Sequence, residues 1–240
     1  MILDNFRLTD QVAIVTGAGR GIGAACAVAG AASFMFAFPF GNYITADNTS
    51  LKVGFSSWTR IHDNMIPARG KIAGSYVNSA LIKTEAELNG FDEALVLNED
   101  GHVSEASSAN FFIVRDGVAI TPPVQSNVLE GIVRRSVIQL LRDELGVPVQ
   151  ERNIDRSEVY IADESFMCGT GVQISAITRI EHRAVGTGEM GDITSRLRTL
   201  FFDVVEGKVA KYRDWLAPVY VPANRATPTA PASNPATPAR

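Results

Sequence analysis

Four short predicted strands, with tight turns among them, constrain most strongly what this chain can fold into. They are Glu93–Leu97, His102–Glu105, Asn110–Val114 and Val118–Thr121. The turn sequences NEDG and RDG follow the first and the third segment, as expected between neighbouring strands. Helices with glycine stops are predicted on either side, at Ser75–Asn89 and Gly131–Leu145. Helices combined with several short strands predict an α/β fold of the α+β type.

Further elements are predicted before and after this region. An alternating run, LKVGFSSWTR, predicts a strand before it. The strands predicted after it are Val149–Ile154, Ser165–Cys168 and Val172–Ile180. Asp192 is predicted as the N-cap of a last helix that runs to about Glu206. From Pro218 onward the chain is rich in Pro, Ala, Thr and Asn without apolar periodicity, which predicts a disordered tail.

The composition narrows the class of protein. A chain of 240 residues can bury a large core, as one large domain or two small ones. Its net charge of -4 gives no reason to expect nucleic acid or an anionic membrane as a partner. Cys26 and Cys168 lack metal-ligand spacing and are too few for a disulfide framework, which fits the cytoplasm. The apolar stretch 24–40 is interrupted by Gly30 and Pro39 and is too short for a secure membrane span.

The head, residues 1–32, has a glycine-rich turn, GAGRGIG, between a short apolar strand and a helix start. This opening resembles the short-chain dehydrogenase/reductase family, in which such glycines let the backbone approach a cofactor pyrophosphate. The resemblance implies an oxidoreductase that uses NAD or NADP. That family also needs a Tyr-x-x-x-Lys pair, and none of the five tyrosines has a lysine four residues later. The oxidoreductase is therefore a disfavoured alternative, and we expect no useful nicotinamide affinity.

The body of the chain carries a series of ordered motifs. They are FPFGNY, SSWTR, KIAGSYVNS, GFDEALVLNEDGHVSEASSANFF, TPP, VLEGIVRRSVI, ADESFMCGT and GEMGDIT. From about Ser33 to Leu216 the chain resembles the class IV, fold-type IV pyridoxal-phosphate aminotransferases, especially bacterial branched-chain amino-acid aminotransferases. The resemblance implies pyridoxal 5'-phosphate as cofactor, amino transfer between a branched-chain amino acid and 2-oxoglutarate, and a homodimer. It divides the chain into the head (1–32), an aminotransferase large domain (33–217) and the tail (218–240).

The resemblance assigns the chemistry to three residues. Lys71 precedes Tyr76 by five residues, as the lysine that forms a Schiff base with the cofactor aldehyde does in the family. Tyr76 matches the tyrosine whose hydroxyl reaches the cofactor O3'. Glu105 matches the acid that keeps the pyridine nitrogen protonated. Lys83 is the rival lysine nearby, and we expect it on the solvated side of a helix.

The resemblance also assigns the phosphate and substrate contacts. Gly131, Ile132 and Val133 open a helix whose backbone N–H groups would bind the phosphate. The family usually has a hydroxyl residue where Val133 stands, so one side-chain contact is expected to be lost. Thr170 would also contact the phosphate, and the backbone of Thr170 and Gly171 the substrate carboxylate. Two further side chains, Arg60 and Trp58, are expected near the mouth of the site without a firm role.

One departure from the family bears on activity. The resemblance implies a smaller N-terminal lobe before FPFGNY, which supplies an arginine to the phosphate and much of the substrate pocket. Here the dehydrogenase-like head stands in that place, with a junction near Ala29–Ser33. We therefore expect impaired amino transfer, with a non-catalytic remnant as an alternative. A lyase or a D-amino-acid transaminase is the alternative within the family.

Overall fold

The structure of the protein is a computed structural model that describes residues 49–217. The predicted head, the FPFGNY motif and the predicted tail lie outside the described residues. The described part contains both α-helices and a mixed sheet, so the predicted α/β class is confirmed. Between residues 49 and 217, no helix combines the length and the apolar character needed to cross a membrane.

The bounds of the elements are as follows. The strands are β1 (Leu51–Thr59), β2 (Glu93–Leu97), β3 (Val103–Ala106), β4 (Asn110–Arg115), β5 (Val118–Thr121), β6 (Val149–Glu151), β7 (Glu164–Gly169), β8 (Gln173–Ile180) and β9 (Arg183–Ala184). The α-helices are α1 (Tyr76–Leu88), α2 (Ile132–Asp143) and α3 (Asp192–Val205). Short 3-10 helices lie at Ala73–Ser75, Glu158–Ile161 and Ala210–Trp215.

The strands form one mixed sheet. Their order is β3-β2-β1-β8-β7-β4-β5-β6, and β9 pairs with β8. β1 runs parallel to both β2 and β8, and β5 runs parallel to β6. The other pairs are antiparallel. β3 stands at one end of this order, whereas β4 lies between β7 and β5, although the two strands are close in sequence.

Apolar side chains cover both faces of the sheet. Along β4, Phe111 and Ile113 join one core cluster, whereas Phe112 and Val114 join another, because successive side chains of a strand point to opposite faces. Residues of α2 and α3 belong to the second cluster, so these helices cover that face. α1 packs on β1 and β2 around Ile82. Burial on both sides explains why β4 reads as a continuous apolar run rather than an alternating one.

Most predicted element bounds agree with the structure to within one or two residues, but one strand is shorter than predicted. β6 ends at Glu151, whereas the pattern predicted Val149–Ile154. Arg152 N still donates to Thr121 O, and the chain then leaves β5. Two residues later, Ile154 O accepts a hydrogen bond from Val103 N on β3. The apolar pattern persists through Ile154 because this residue is buried, although the strand pairing has ended.

The prediction of Asp192 as a helix N-cap is wrong. Gly191 is the N-cap of α3, and Asp192 is the first helical residue. The cap comes instead from Glu164 on β7, whose carboxylate accepts hydrogen bonds from Ile193 N (2.9 Å) and Thr194 N (2.8 Å). The Thr194 hydroxyl donates to the same carboxylate at 2.6 Å. A Cβ at Gly191 would lie 2.0 Å from Glu164 Cδ, so the glycine makes room for this cap.

Removal of this cap should destabilise the fold. We expect Glu164→Ala to lower the free energy of unfolding by about 2 kcal/mol, since it leaves helix N–H groups without their acceptor. Urea unfolding followed by circular dichroism measures the change. Glu189→Ala, at an exposed position shortly before α3, is the matched control and should change stability by less than about 0.5 kcal/mol. An unchanged unfolding midpoint for Glu164→Ala would refute the capping role.

Candidate active site

All the predicted site residues except Gly171 line one cavity of about 710 Å³. They reach it from separate parts of the chain: the segment before α1, the end of β3, the start of α2 and the turn after β7. The residues brought together are Lys71, Tyr76, Glu105, Gly131, Ile132, Val133 and Thr170. Gly171 follows Thr170 in the β7–β8 turn and is not part of the lining. The cavity has the size of a small-molecule site, and several polar groups converge in it.

Lys71 and Tyr76 form one wall of the cavity. The 3-10 turn Ala73–Ser75 separates them and leads directly into α1. Lys71 Nζ lies 5.6 Å from the centroid of the Tyr76 ring, and both side chains are exposed. A lysine that is free to move in a cavity can react with a ligand, whereas a lysine held by an ion pair cannot do so readily.

Lys83 is such a held lysine. Its Nζ donates to Asp92 O and lies 3.6 Å from Glu87 Oε1 and 3.9 Å from Glu93 Oε2. The expectation of a solvated Lys83 is therefore wrong, since only 27% of the side chain is exposed. Glu93 is fully buried, and burial raises the pKa of its carboxyl in opposition to the Lys83 charge. Lys83 is placed to stabilise β2, and it does not line the cavity.

Glu105 lies at the bottom of the cavity, almost completely buried at the end of β3. Its Oε1 is 2.5 Å from Arg60 Nη2. Its Oε2 accepts hydrogen bonds from Asn110 Nδ2 (2.9 Å) and Leu129 N (3.2 Å). Burial raises the pKa of Glu105 to about 7, although the Arg60 charge and these hydrogen bonds act to lower it. The carboxyl can therefore gain or lose a proton near neutral pH.

Arg60 also lines the cavity, although no firm role could be assigned to it from the sequence. It directly follows β1, and only 11% of its side chain is exposed. Its Nε donates to Asn127 O at 3.2 Å, which orients the guanidinium towards Glu105. The other residue noted near the mouth, Trp58, lines a separate, mostly apolar depression on the outer side of α1 instead. The Arg60 charge favours the carboxylate form of Glu105 and so opposes the effect of burial on the pKa of this acid.

The start of α2 forms the opposite wall. Gly131 is the N-cap, and no side chain caps the helix. The first N–H groups of a helix lack partners within the helix and favour an anion. Ile132 and Val133 are the first two residues of α2. At the rim, Arg69 Nε lies 2.6 Å from Glu130 Oε1, so this ion pair joins the two walls.

The turn after β7 completes the cavity. Thr170 is exposed there, and Cys168 below it is fully buried. Burial raises the pKa of the Cys168 thiol well above its usual range, so this cysteine stays protonated. A neutral thiol behaves as a small apolar group in the cavity wall. Since Cys168 is neutral and buried, the exposed Thr170 hydroxyl is the side-chain group of this pair that can hydrogen-bond to a ligand.

Comparisons with known proteins agree with this arrangement. A family profile described as amino-transferase class IV matches residues 6–180. The range includes most of the predicted head, and the division of the chain at residue 32 stays a prediction. The probable branched-chain-amino-acid aminotransferase of Aquifex aeolicus is 47% identical over 186 residues, which are 78% of this chain and 60% of that protein. The branched-chain-amino-acid aminotransferase of Salmonella typhimurium is 38% identical over 185 residues, or 76% and 60%.

Solved structures give the same result. The branched-chain aminotransferase of Thermoproteus uzoniensis with norvaline has a TM-score of 0.72 at 42% identity, over 76% of this chain and 60% of that chain. The branched-chain amino acid aminotransferase of Thermobaculum terrenum in its PLP form has a TM-score of 0.70 at 45% identity, over 72% and 56%. The chain spans about 60% of the length of the relatives that it matches. On the extent of these matches, the chain belongs to the class IV aminotransferase family.

Proposed function

We propose that the cavity holds pyridoxal 5'-phosphate and that the protein transfers an amino group between a branched-chain amino acid and 2-oxoglutarate. The observation that carries the proposal is the meeting of a free lysine, a buried acid and an uncapped helix N-terminus in one cavity. The names of the relatives support the choice of reaction and substrate.

The residues fit the two ends of this cofactor. A phosphate suits the N-terminus of α2, where the N–H groups of Ile132 and Val133 are expected to donate to it, with the Thr170 hydroxyl nearby. Gly131 lets the start of this helix lie against the Asn110 side chain, since a Cβ at Gly131 would lie 2.2 Å from Asn110 Oδ1. A pyridine nitrogen suits the buried carboxyl of Glu105. Lys71 and Tyr76 line the same cavity as these two ends.

When bound, the cofactor supplies an electron sink for the electrons released at the substrate Cα. The protein residues do the rest. Glu105 holds a proton on the pyridine nitrogen, and the Arg60 charge favours the carboxylate that this requires. Lys71 Nζ would hold the cofactor and would move the proton at the substrate Cα. Tyr76 is expected to hold the ring hydroxyl, and the Thr170–Gly171 backbone to hold the substrate carboxylate.

Borohydride reduction and peptide mapping test the proposal on the protein supplied with pyridoxal 5'-phosphate. We expect a yellow protein with visible or near-ultraviolet absorbance, and a stable label on Lys71 after reduction. A label on Lys83, or no labelled lysine in a yellow protein, would rule out Lys71 as the attachment site. A protein that takes up no cofactor would contradict the proposal as a whole.

The choice of substrate is a separate question, which the absorbance of the bound cofactor answers. L-Leucine added to the yellow protein should convert the cofactor to its amino form, and 2-oxoglutarate should restore the original spectrum. Conversion by D-alanine but not L-leucine would favour the D-amino-acid transaminase. Release of ammonia and pyruvate from L-serine with the original spectrum retained would favour the lyase, because elimination of water from serine followed by hydrolysis needs no oxidant and leaves no amino group on the cofactor. Cofactor uptake without conversion would favour the non-catalytic alternative.

A homodimer and a cytoplasmic location are part of the same proposal. The homodimer rests on the family resemblance, and light scattering on the purified protein measures it directly. The location rests on the cysteine content of the sequence, since two cysteines are too few for a disulfide framework. Fractionation of cells that express the protein would test it.

A further inference from the structure

Asn110 connects the two ends of the cavity. It is the first residue of β4 and is buried. Its Nδ2 donates to Glu105 Oε2 at 2.9 Å and to Leu129 O at 2.8 Å. Leu129 N in turn donates to the same Glu105 oxygen. The amide group therefore ties the acid at the end of β3 to the segment that leads into α2.

Gly131 is in contact with the other side of the same amide. A Cβ added to Gly131 would lie 2.2 Å from Asn110 Oδ1, far closer than atoms of neighbouring side chains approach. The backbone of Gly131 has φ -63° and ψ 138°, which any residue can adopt. The glycine is therefore required by the position of the Asn110 side chain and not by its own backbone conformation.

We propose that Asn110 and Gly131 are positioning residues. Together they fix the position of the Glu105 carboxylate relative to the N-terminus of α2. The inference rests on the proposed function for the identity of the two ends, phosphate at α2 and pyridine at Glu105. Its physical content is independent of the cofactor. A side chain at position 131 would displace the Asn110 amide. Because that amide donates to Glu105, the hydrogen bonding of the acid would change without direct contact from position 131.

The two carboxylate oxygens of Glu105 have different partners. Oε1 is paired with Arg60, whereas Oε2 depends on Asn110 and on the backbone of Leu129. The charge of Arg134 on α2 also acts to lower the pKa of this acid, whereas Glu105 in turn raises the pKa of the Cys168 thiol. Because an amide N–H stabilises the charged carboxylate, its loss should make Glu105 a weaker acid while the Arg60 pair remains.

The experiment is a pH titration of the Glu105 carboxyl carbon by ¹³C NMR in the cofactor-free protein, with Glu105→Gln used to identify the resonance. We expect Asn110→Ala and Gly131→Ala each to lower the acid dissociation constant of Glu105 by about tenfold. The double variant should behave as Asn110→Ala alone, because its added Cβ has no amide to displace. Such non-additivity is a result that general loosening of the fold would not give.

Gly169→Ala is the matched control. Gly169 lines the same cavity, but a Cβ there would meet Val172 Cγ2 at an ordinary 3.5 Å, so the Glu105 dissociation constant should stay the same. An unchanged value in Gly131→Ala, or an equal effect of that substitution with and without Asn110, would overturn the inference. If Gly131→Ala alone fails to fold, restored folding in the double variant supports the clash, and failure there contradicts it. Cofactor uptake by the parent protein tests the proposed function separately.

Discussion

Replacement of Lys71 by alanine should abolish the borohydride-stable label and slow the half-reaction with L-leucine by at least about 10³-fold. The amine is proposed both to attach the cofactor and to move the substrate proton, and the loss of a general acid–base group alone costs about 10²–10⁴-fold. Lys71 is exposed in the cavity and precedes α1, so the substitution removes little buried contact. The effect should therefore appear in the rate and the label, with the unfolding midpoint almost unchanged.

Lys83→Arg is the matched control for this loss. It keeps a positive charge beside the buried Glu93 and should retain the label on Lys71 and a rate within about threefold of the parent protein. A small amine added to Lys71→Ala should restore part of the rate, since it can carry the proton when the side chain cannot. If Lys71→Ala keeps its label, or its half-reaction stays within tenfold of the parent rate, another group performs these steps.

Much of the fold could be predicted from local pattern. The short strand patterns predicted β2 and β5 closely, the alternating run LKVGFSSWTR predicted β1, and the amphipathic pattern predicted α2. The failures occurred where a contact distant in sequence decides the local structure. β6 ends early because Ile154 pairs with β3 instead of β5, and α3 is capped by Glu164, which lies 28 residues before it in the chain. A reading of neighbouring residues cannot detect either contact.

The same distinction applies to the site. Lys71, Tyr76 and Glu105 could be predicted as site residues because each lies in a motif that resembles the family's, and all three line one cavity. Arg60 could not, since its partner Glu105 is 45 residues away and the two meet only through the order of the strands. Asn110 offered one signal: a polar amide at the start of a strand that is otherwise apolar needs buried hydrogen-bond partners. That signal does not reveal which partners the amide has.

The pKa of Glu105 leads to a prediction about stability that does not depend on the cofactor. Because burial raises this pKa from 4.5 to about 7, the folded protein binds the proton more tightly than the unfolded chain does. Between these pH values the contribution of Glu105 to the free energy of unfolding should therefore fall as the pH rises, by about 3 kcal/mol. Glu105→Gln has no such proton. Urea unfolding of the cofactor-free proteins at pH 4.5 and pH 8 should show a correspondingly smaller loss for this variant, and equal losses would contradict the raised pKa.

Glu105→Gln should also reduce the rate of amino transfer by about two orders of magnitude or more while the cofactor stays bound. The phosphate end of the site is unchanged by the substitution, and Lys71 remains available, so the borohydride label should persist. A neutral amide cannot hold the proton of the pyridine nitrogen as a carboxylate does, and the cofactor then withdraws electrons less strongly from the substrate. Stopped-flow absorbance of the half-reaction with L-leucine measures this loss separately from binding.

Glu105→Asp, which keeps the charge on a shorter side chain, should retain more activity than Glu105→Gln. A Glu105→Gln rate within twofold of the parent protein would show that another group controls the pyridine nitrogen, and that the buried pair with Arg60 serves the fold alone.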